Sequence, residues 1–323
     1  PTGTIAQGVG AKQINSKGEV YETKYGLTTS ERVYGTVMEN LQGRGPCYLR
    51  TEGISPQQDE SLRKAYLNMA PSQTLKWVEA GKDPSRQNVE IEGTEPYIVG
   101  GHTASGYWVD TNRQTTINGL YAAGDVAGGC PQKYVTGAMV EGEIAALDMI
   151  NKLDKEEKNA DFENVGETEQ KAFDEKVNEY NSFLAGKTQQ FTTEAIEEAM
   201  QKVMDNYAGG ISTHYQFNEK QLELADEKIR QLTRLVDGLH ADDMHDLMFV
   251  YELKERLTVC LSVIAHLGAR KETRWHSFAE NLDHPDKSDE WMKYVNSKYI
   301  DGKLQIIYRD LVGREAHYEH NDR

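Results

Sequence analysis

Residues 117–150, INGLYAAGDVAGGCPQKYVTGAMVEGEIAALDMI, are the most informative stretch of this chain. The short apolar run 120–123 predicts a strand that ends at Gly124–Asp125. A glycine-rich loop follows, and Gly137 then begins a predicted amphipathic helix. A strand, a loop and a helix in this order are typical of an α/β domain that binds a ligand at the carboxyl end of a strand.

The residue types in this stretch restrict the ligand. The carboxylate of Asp125 repels phosphate, but it can accept hydrogen bonds from the hydroxyls of a ribose or ribityl chain. The start of a helix near Gly137 directs free N–H groups and about half a positive charge at the same place. A phosphate loop would need a Lys-Ser/Thr pair, which is absent here. A ring that becomes anionic, such as a reduced flavin, would be stabilised by the amides and positive charge of this helix start. The alternative is that the segment binds no ligand and is an ordinary turn before an ordinary helix.

The composition excludes several classes of protein. The net charge of −16 disfavours nucleic acid and anionic membranes as partners. No apolar run approaches the ~20 residues of a membrane-spanning helix. The three cysteines, Cys47, Cys130 and Cys260, lie too far apart for a C-x-x-C motif, so they predict neither a zinc site nor an iron–sulfur cluster. Their spacing fits a reducing cytoplasm.

The chain changes character along its length. Residues 1–95 mix short strands with helices, one of which is predicted to have Ser30 as its N-cap and Gly43 as its end. Residues 96–153 are rich in glycine and in strand-forming residues up to the helix at Gly137. A charged linker, 154–165, leads to a mostly helical region. The chain begins in mid-pattern without a methionine, so we expect it to be the carboxy-terminal part of a longer protein.

The helical region predicts a bundle. One helix should end at Gly186, and another should begin with a capping box formed by Asn218 and Gln221. The most apolar helix should lie at the centre of the bundle. Its core-facing residues should be Leu247, Leu253, Leu257, Leu261 and Ile264. The run KLQIIYRD, 303–310, is typical of a strand.

The motif GLYAAGDVAGG…GAMVEGEIAA resembles the carboxy-terminal flavin-binding segment of the succinate dehydrogenase/fumarate reductase flavoprotein superfamily. This resemblance implies FAD as cofactor, with Asp125 at the ribityl chain and the helix start at the pyrimidine edge. The preceding EPYIVGGHTASGYWV resembles the histidine-containing segment of the same superfamily, which implies that His102 lies beside the flavin ring and faces the substrate. The cofactor-binding residues implied in this way are Gly101, Gly124, Asp125, Thr136, Gly137, Ala138 and Met139.

One departure separates the chain from the fumarate and succinate enzymes. Those enzymes carry an arginine just before the helix, where it clamps the dicarboxylate. The corresponding run here is QKYVTGAM, so Lys133 or Tyr134 takes the arginine position. Because lysine is a point charge without the bidentate geometry of arginine, this departure argues against a C4-dicarboxylate substrate.

Within the superfamily, the chain is most similar to the α subunits of adenylylsulfate (APS) reductases. The similarity rests on GGHTASGYWV, on the loop with Pro131 and Lys133, and on LGARKETRWHSF…DEWMKYVNSKYID. It implies an FAD-dependent oxidoreductase that converts adenylylsulfate to AMP and sulfite, or the reverse, and exchanges electrons with an iron–sulfur β subunit.

The resemblance also implies the domain organisation, an α/β plus all-α fold. Residues 1–95 would be a segment of the capping (substrate) domain, 96–153 the returning segment of a partial FAD-binding α/β domain, and 154–323 a helical domain with a carboxy-terminal tail. The G-x-G-x-x-G segment that begins such α subunits is absent from the sequence.

Further residues and alternative functions complete the expectations. His102 would steady the sulfonyl oxygens or the leaving phosphate, and Lys133 would offset substrate charge; ordinary loop residues are the alternative for both. Arg274 and Trp275 are expected to be structural. Four other histidines show no shared metal-ligand spacing: His214, His240, His245 and His266.

The alternative functions are a fumarate reductase-like flavoprotein, or a docking module without activity that retains FAD weakly.

Overall fold

The computed structural model describes residues 2–25, 29–92, 105–128, 135–153, 166–186, 191–274, 280–300 and 303–313. These residues belong to two compact units. The first unit comprises the described residues up to 92, and the second comprises those from 105 onward. Among them, no helix is both long enough and apolar enough to cross a lipid bilayer.

The first unit combines a small antiparallel sheet with five helices. In the sheet, the central strand Cys47–Leu49 pairs with Gln13–Ile14 through Leu49 and Gln13 and with Val89–Ile91 through Leu49 and Val89. The elements are α1 (Thr2–Gln7), β1 (Gln13–Ile14), α2 (Glu22–Tyr25), α3 (Thr29–Leu41), β2 (Cys47–Leu49), α4 (Pro56–Met69), α5 (Pro71–Glu79) and β3 (Val89–Ile91).

The helix ends of this unit follow local rules, with one exception. Ser55 is the N-cap of α4 and forms a capping box with Gln58 in the first turn. Gly43 adopts a φ of +71° just after α3, so its predicted role as a helix stop is confirmed. The prediction of Ser30 as N-cap is wrong, because Ser30 already lies within the first turn of α3. An N-cap must keep an extended backbone outside the helix, and serine also tolerates the first turn.

The second unit contains the predicted helical bundle. It consists of α7 (Glu167–Ala185), α8 (Thr193–Tyr207), α9 (Glu219–Val236) and α10 (Met244–Ala269). Helix α7 ends before Gly186, and Asn218 and Gln221 form the predicted capping box of α9. The core-facing residues predicted for α10 are confirmed, because all five belong to one apolar core or pack against it. The most deeply buried residues of this apolar core are Ala225, Ile229, Val236, Ala241, Val250, Leu253 and Leu257.

The same unit also contains a β-hairpin and a two-residue parallel pair. Strands β6 (Lys293–Ile300) and β7 (Lys303–Asp310) pair along their whole length, so the predicted strand at 303–310 is confirmed. Its partner β6 was not predicted. Strands β4 (Gln216–Phe217) and β5 (Glu280–Asn281) form the parallel pair.

A buried ionic cluster connects α10 to the hairpin. Glu272 has a fully buried side chain that pairs with Arg270 and Arg274, each at 2.7 Å. Arg270 also donates to the carbonyl oxygens of Trp291 and Lys293. Burial by itself would raise the pKa of Glu272, but hydrogen bonds from Arg274, the Ser288 amide and Arg270 outweigh it and lower the pKa. Arg274 thus makes structural contacts within this unit, whereas Trp275 lies outside the described residues.

The fold is therefore a mixture of helices and small sheets. The described part of segment 96–153 contains isolated bridges and one long helix, α6 (Val135–Leu153), but no strand of a sheet. The expected α/β layer stays a prediction, because a parallel layer needs neighbouring strands and residues 96–104 and 129–134 of this segment lie outside the described residues. The assignment of 1–95, 96–153 and 154–323 to capping, FAD-binding and helical domains stays a prediction.

Candidate cofactor-binding turn

Residues 105–128 form a compact loop that is held by backbone hydrogen bonds. The strand predicted at 120–123 is wrong: Tyr121 forms only a single antiparallel bridge with Gln114. The amide of Ala122 donates to the carbonyl of Arg113 at 3.0 Å, so this run pairs with residues just upstream of it. An apolar run can be a strand only where a partner ladder is available, and none is present in the described part of this segment.

The Gly124–Asp125 dipeptide forms a tight turn directly after this bridge. Gly124, Asp125 and Val126 make one turn of 3-10 helix, and Gly124 has a φ of +73°. A Cβ atom at position 124 would lie 3.0 Å from the Cβ of Ala138. Glycine is therefore required twice, for its left-handed backbone and for the close approach to α6.

Helix α6 begins at Val135, two residues before the predicted start, so Gly137 lies inside its first turn. The prediction located the helix at its first glycine, but a glycine does not mark a helix start as it marks a helix end. The first amides of an α-helix have no partner within the helix, and in α6 they include those of residues 135–137. Because Gly124 packs on Ala138, the Gly124–Asp125 turn and these free amides lie at the same end of α6.

A buried carboxylate attaches the turn to the helix. The side chain of Glu141 is buried, and its Oε2 accepts a hydrogen bond from the Gly124 amide at 2.9 Å. Its Oε1 lies 3.1 Å from Nε of Arg113, which makes an ion pair. Arg113 has a φ of +72°, and its Nη1 donates to the carbonyls of Asp110 and Thr111. The loop, the turn and α6 are thus connected through one carboxylate.

A second polar cluster attaches the loop further along α6. The hydroxyl of Tyr121 donates to Asp148 Oδ2 at 2.6 Å, and Lys152 pairs with the same carboxylate at 2.7 Å. Lys152 also donates to Gln114 and to the Tyr121 oxygen. Burial, and secondly the neighbouring Asp148, raise the pKa of Tyr121, so this phenol stays protonated and acts as a donor.

The structure brings together most of the predicted cofactor-binding residues. Asp125 is exposed at the turn. The side chains of Thr136, Ala138 and Met139 are exposed on the first turns of α6, and Gly137 is half-buried between them. Gly101, His102 and Lys133 lie outside the described residues. Among the residues that are described, no group of histidine, cysteine and acidic side chains could hold a metal ion.

Sequence reasoning missed Glu141 and Arg113. A signal for Glu141 was available, because an acidic residue four positions after Gly137 interrupts the apolar side of α6. No comparable signal identified Arg113, since its pairing with Glu141 depends on how the loop closes on the helix.

The chain is similar to known proteins over most of its length. No protein-family model matches the chain. The chain is 26% identical to the adenylylsulfate reductase α subunit of Megalodesulfovibrio gigas, over 91% of its own length and 53% of that protein. It is 25% identical to an FAD-dependent oxidoreductase of Methanocaldococcus jannaschii, over 90% of its length and again 53% of the relative. The chain therefore spans about half the length of the curated relatives it matches.

Solved structures agree with the sequence relatives. Adenylylsulfate reductase of Archaeoglobus fulgidus superposes with a TM-score of 0.80 at 27% identity, covering 97% of this chain and 57% of the other. A quinol fumarate reductase chain of Escherichia coli gives a TM-score of 0.71 at 18% identity, covering 99% of this chain and 57% of the other, which shows a shared fold. The chain is homologous to the α subunit of adenylylsulfate reductase.

Proposed function

We propose that the protein containing this chain is an FAD-dependent oxidoreductase of the adenylylsulfate reductase type. It would convert adenylylsulfate to AMP and sulfite, or the reverse. The observation that carries this proposal is the Gly124–Asp125 turn, which packs on the first turn of α6 in a chain homologous to these enzymes over 91% of its length.

The residues of this turn fit the polyol and ring edge of a flavin. The exposed carboxylate of Asp125 can accept hydrogen bonds from ribityl hydroxyls. The helix-start amides of residues 135–137 and the positive end of the α6 dipole suit the oxygen and nitrogen atoms at the pyrimidine edge, where charge develops on reduction. When bound, FAD supplies two-electron chemistry that side chains cannot provide.

Two residues outside the described part carry the proposed substrate chemistry. His102 would hold the sulfonyl oxygens or the leaving phosphate of adenylylsulfate by hydrogen bonds. Lys133 would offset the negative charge of the substrate in place of a bidentate arginine. The backbone of Gly101 would approach the cofactor next to His102.

The proposed electron partner is an iron–sulfur β subunit. The sequence contains no closely spaced cysteines that could bind a cluster. In this proposal, electrons for the two-electron reduction come from that subunit. In this proposal residues 1–95 belong to the capping domain, 96–153 to the FAD-binding domain and 154–323 to the helical domain.

Exposed apolar residues on α6 support its placement in a larger flavoprotein domain. Only Glu141 and Ala145 of this helix are buried within the described structure. Its exposed large apolar residues are Val135, Met139, Val140, Leu147, Met149, Ile150 and Leu153. An apolar surface of this kind is typical of a helix that another part of a protein covers.

The cofactor proposal is tested by flavin binding to the full-length protein. The purified wild type should show flavin absorbance, and Asp125→Ala should weaken FAD binding by about tenfold or more, because ribityl hydroxyls lose an ionised acceptor. Glu143→Ala, which removes an exposed carboxylate of α6, is the matched control and should bind FAD like the wild type. A wild type that neither retains nor binds FAD contradicts the proposal.

The substrate proposal is tested by turnover. The full-length protein with its electron partner should reduce adenylylsulfate with a higher kcat/KM than fumarate. His102→Gln should lower kcat for adenylylsulfate about 10²-fold or more, the range expected for loss of a transition-state donor. Preference for fumarate would instead favour the fumarate reductase-like alternative, and bound FAD without either activity would require another substrate.

A further inference from the structure

Glu141 is a buried carboxylate that none of the proposed chemistry uses. We propose that it is a positioning residue for the cofactor: it holds the Gly124–Asp125 turn against the start of α6, with Arg113 as its counter-charge. This inference rests on the proposed FAD binding and adds a residue on which the affinity for FAD depends.

The burial of Glu141 indicates that its carboxylate is kept for the partners it binds. Its exposed fraction is 5%, although an apolar residue on the same face of α6 could be buried there without desolvating a charge. Buried carboxylates persist where both oxygens have partners. In this case one oxygen accepts the Gly124 amide and the other faces Arg113.

The geometry fixes the turn at two points. Ala138 and Glu141 are three residues apart and therefore share one face of α6. Ala138 packs against Gly124 from one side, while Glu141 accepts the amide hydrogen of the same residue. Asp125 is the next residue in the chain. The contact that fixes Gly124 therefore also fixes the backbone of Asp125 at this end of α6, where residues 135–137 have amides without a partner in the helix.

Arg113 completes this support without adding net charge. Its guanidinium is already oriented by the carbonyls of Asp110 and Thr111, so little side-chain freedom is lost on pairing. The Glu141–Arg113 pair is neutral as a whole. The carboxylate proposed to meet the ribityl hydroxyls is that of the exposed Asp125.

The test compares three substitutions of Glu141 in the full-length protein after removal of bound flavin. FAD is titrated by flavin fluorescence, and hydrogen exchange of a peptide covering 121–128 is followed in parallel. Glu141→Leu should weaken FAD binding ~10–100-fold and speed exchange at the turn, because a buried amide loses its acceptor. Glu141→Gln keeps an acceptor for the Gly124 amide but removes the counter-charge of Arg113, so its FAD affinity should lie between those of wild type and Glu141→Leu. Glu141→Asp withdraws the carboxylate by one methylene and should resemble Glu141→Leu.

Controls separate this inference from general destabilisation and from the cofactor proposal. Glu143→Gln changes an exposed neighbour on α6 and should alter neither the FAD affinity nor the hydrogen exchange of 121–128. Asp125→Ala should weaken FAD binding while exchange at the turn stays slow. If Glu141→Leu does not fold, Glu141→Asp is tested in its place. A folded variant, Glu141→Leu or Glu141→Asp, that binds FAD as tightly as the wild type would overturn the inference. If the wild type binds no FAD, the cofactor proposal itself is contradicted. This result is obtained before any variant is made, so it is distinguishable from a failure of the inference about Glu141.

Discussion

The helical bundle and the Gly124–α6 region are held together in different ways. The bundle of α7–α10 buries one continuous apolar core. The described part of 105–153 buries only small apolar side chains, Ala122, Ala127 and Ala145, and hydrogen bonds from Gly124 and Tyr121 connect its loop to α6. Apolar burial is non-directional and cumulative, whereas each polar contact fixes one geometry. The bundle is therefore expected to provide stability, and the turn region to provide precise placement of a ligand-binding group.

Truncation of a core residue in the bundle should give the largest effect on stability. Leu257 is fully buried in the centre of α10, so Leu257→Ala should lower the free energy of unfolding by about 2–5 kcal/mol. Urea unfolding followed by circular dichroism measures this loss. Val259→Ala, on the exposed side of the same helix, is the control and should cost far less. Equal losses in the two variants would contradict the account of a bundle held by its core.

A substitution at the turn should act locally. Gly124→Ala places a Cβ against Ala138 at a residue with positive φ, and it should destabilise the turn by about 1–3 kcal/mol. Hydrogen exchange at 121–128 should become faster, while the unfolding of the bundle changes little. The matched control is Gly142→Ala, a helix-interior glycine with open space around it, which should stabilise α6 by about 0.5–1 kcal/mol. A loss of bundle stability in Gly124→Ala would break the distinction between the two regions.

Removal of one hydroxyl should weaken the second attachment of the loop. Tyr121→Phe deletes the hydrogen bond to Asp148 and leaves that carboxylate with Lys152. The expected cost is about 1 kcal/mol, seen as faster exchange of the amides of 113–122. Because the Gly124 amide has its own acceptor in Glu141, FAD affinity of the full-length protein should stay nearly unchanged. A large drop in affinity would show that the two attachments act as one unit.

The smallest expected effect is a pH-dependent contact inside the bundle. Glu179 of α7 pairs with Lys176 at 2.8 Å and with Lys254 of α10, and these hydrogen bonds outweigh burial and lower its pKa to about 2. Because the folded state keeps this carboxylate ionised, its contribution is present above the usual pKa of 4.5 and is lost as pH falls towards 2. Glu179→Gln should cost about 0.5–1 kcal/mol at pH 7, since the side chain is partly exposed and screened.

The measurement for Glu179 is the stability of wild type and Glu179→Gln between pH 6 and 2. The difference between the two proteins should shrink as the pH falls through this range. A constant difference would mean that the contribution of Glu179 does not depend on its charge.

The sequence predictions were accurate for features that depend on residues close together in the sequence, and inaccurate for features that depend on residues far apart. The capping box of Asn218 and Gln221 and the apolar side of α10 were predicted, because both depend on residues a few positions apart. The strand at 120–123 was wrong because strand formation depends on a partner elsewhere in the chain. Strand β6 was missed for the same reason, since only its pairing with β7 distinguishes it from a polar loop.

The candidate site shows the same division. The sequence alone indicated Gly124–Asp125 and placed the start of α6 within two residues of Val135, because a glycine, a carboxylate and a helix start are properties of short segments, and the ligand-binding role of these residues stays a prediction. Tertiary packing decided that Gly124 contacts Ala138 and that a buried carboxylate 17 residues away accepts its amide hydrogen. A buried charge takes whichever partners the closed loop presents to it, and that choice is made only when the loop and the helix come together.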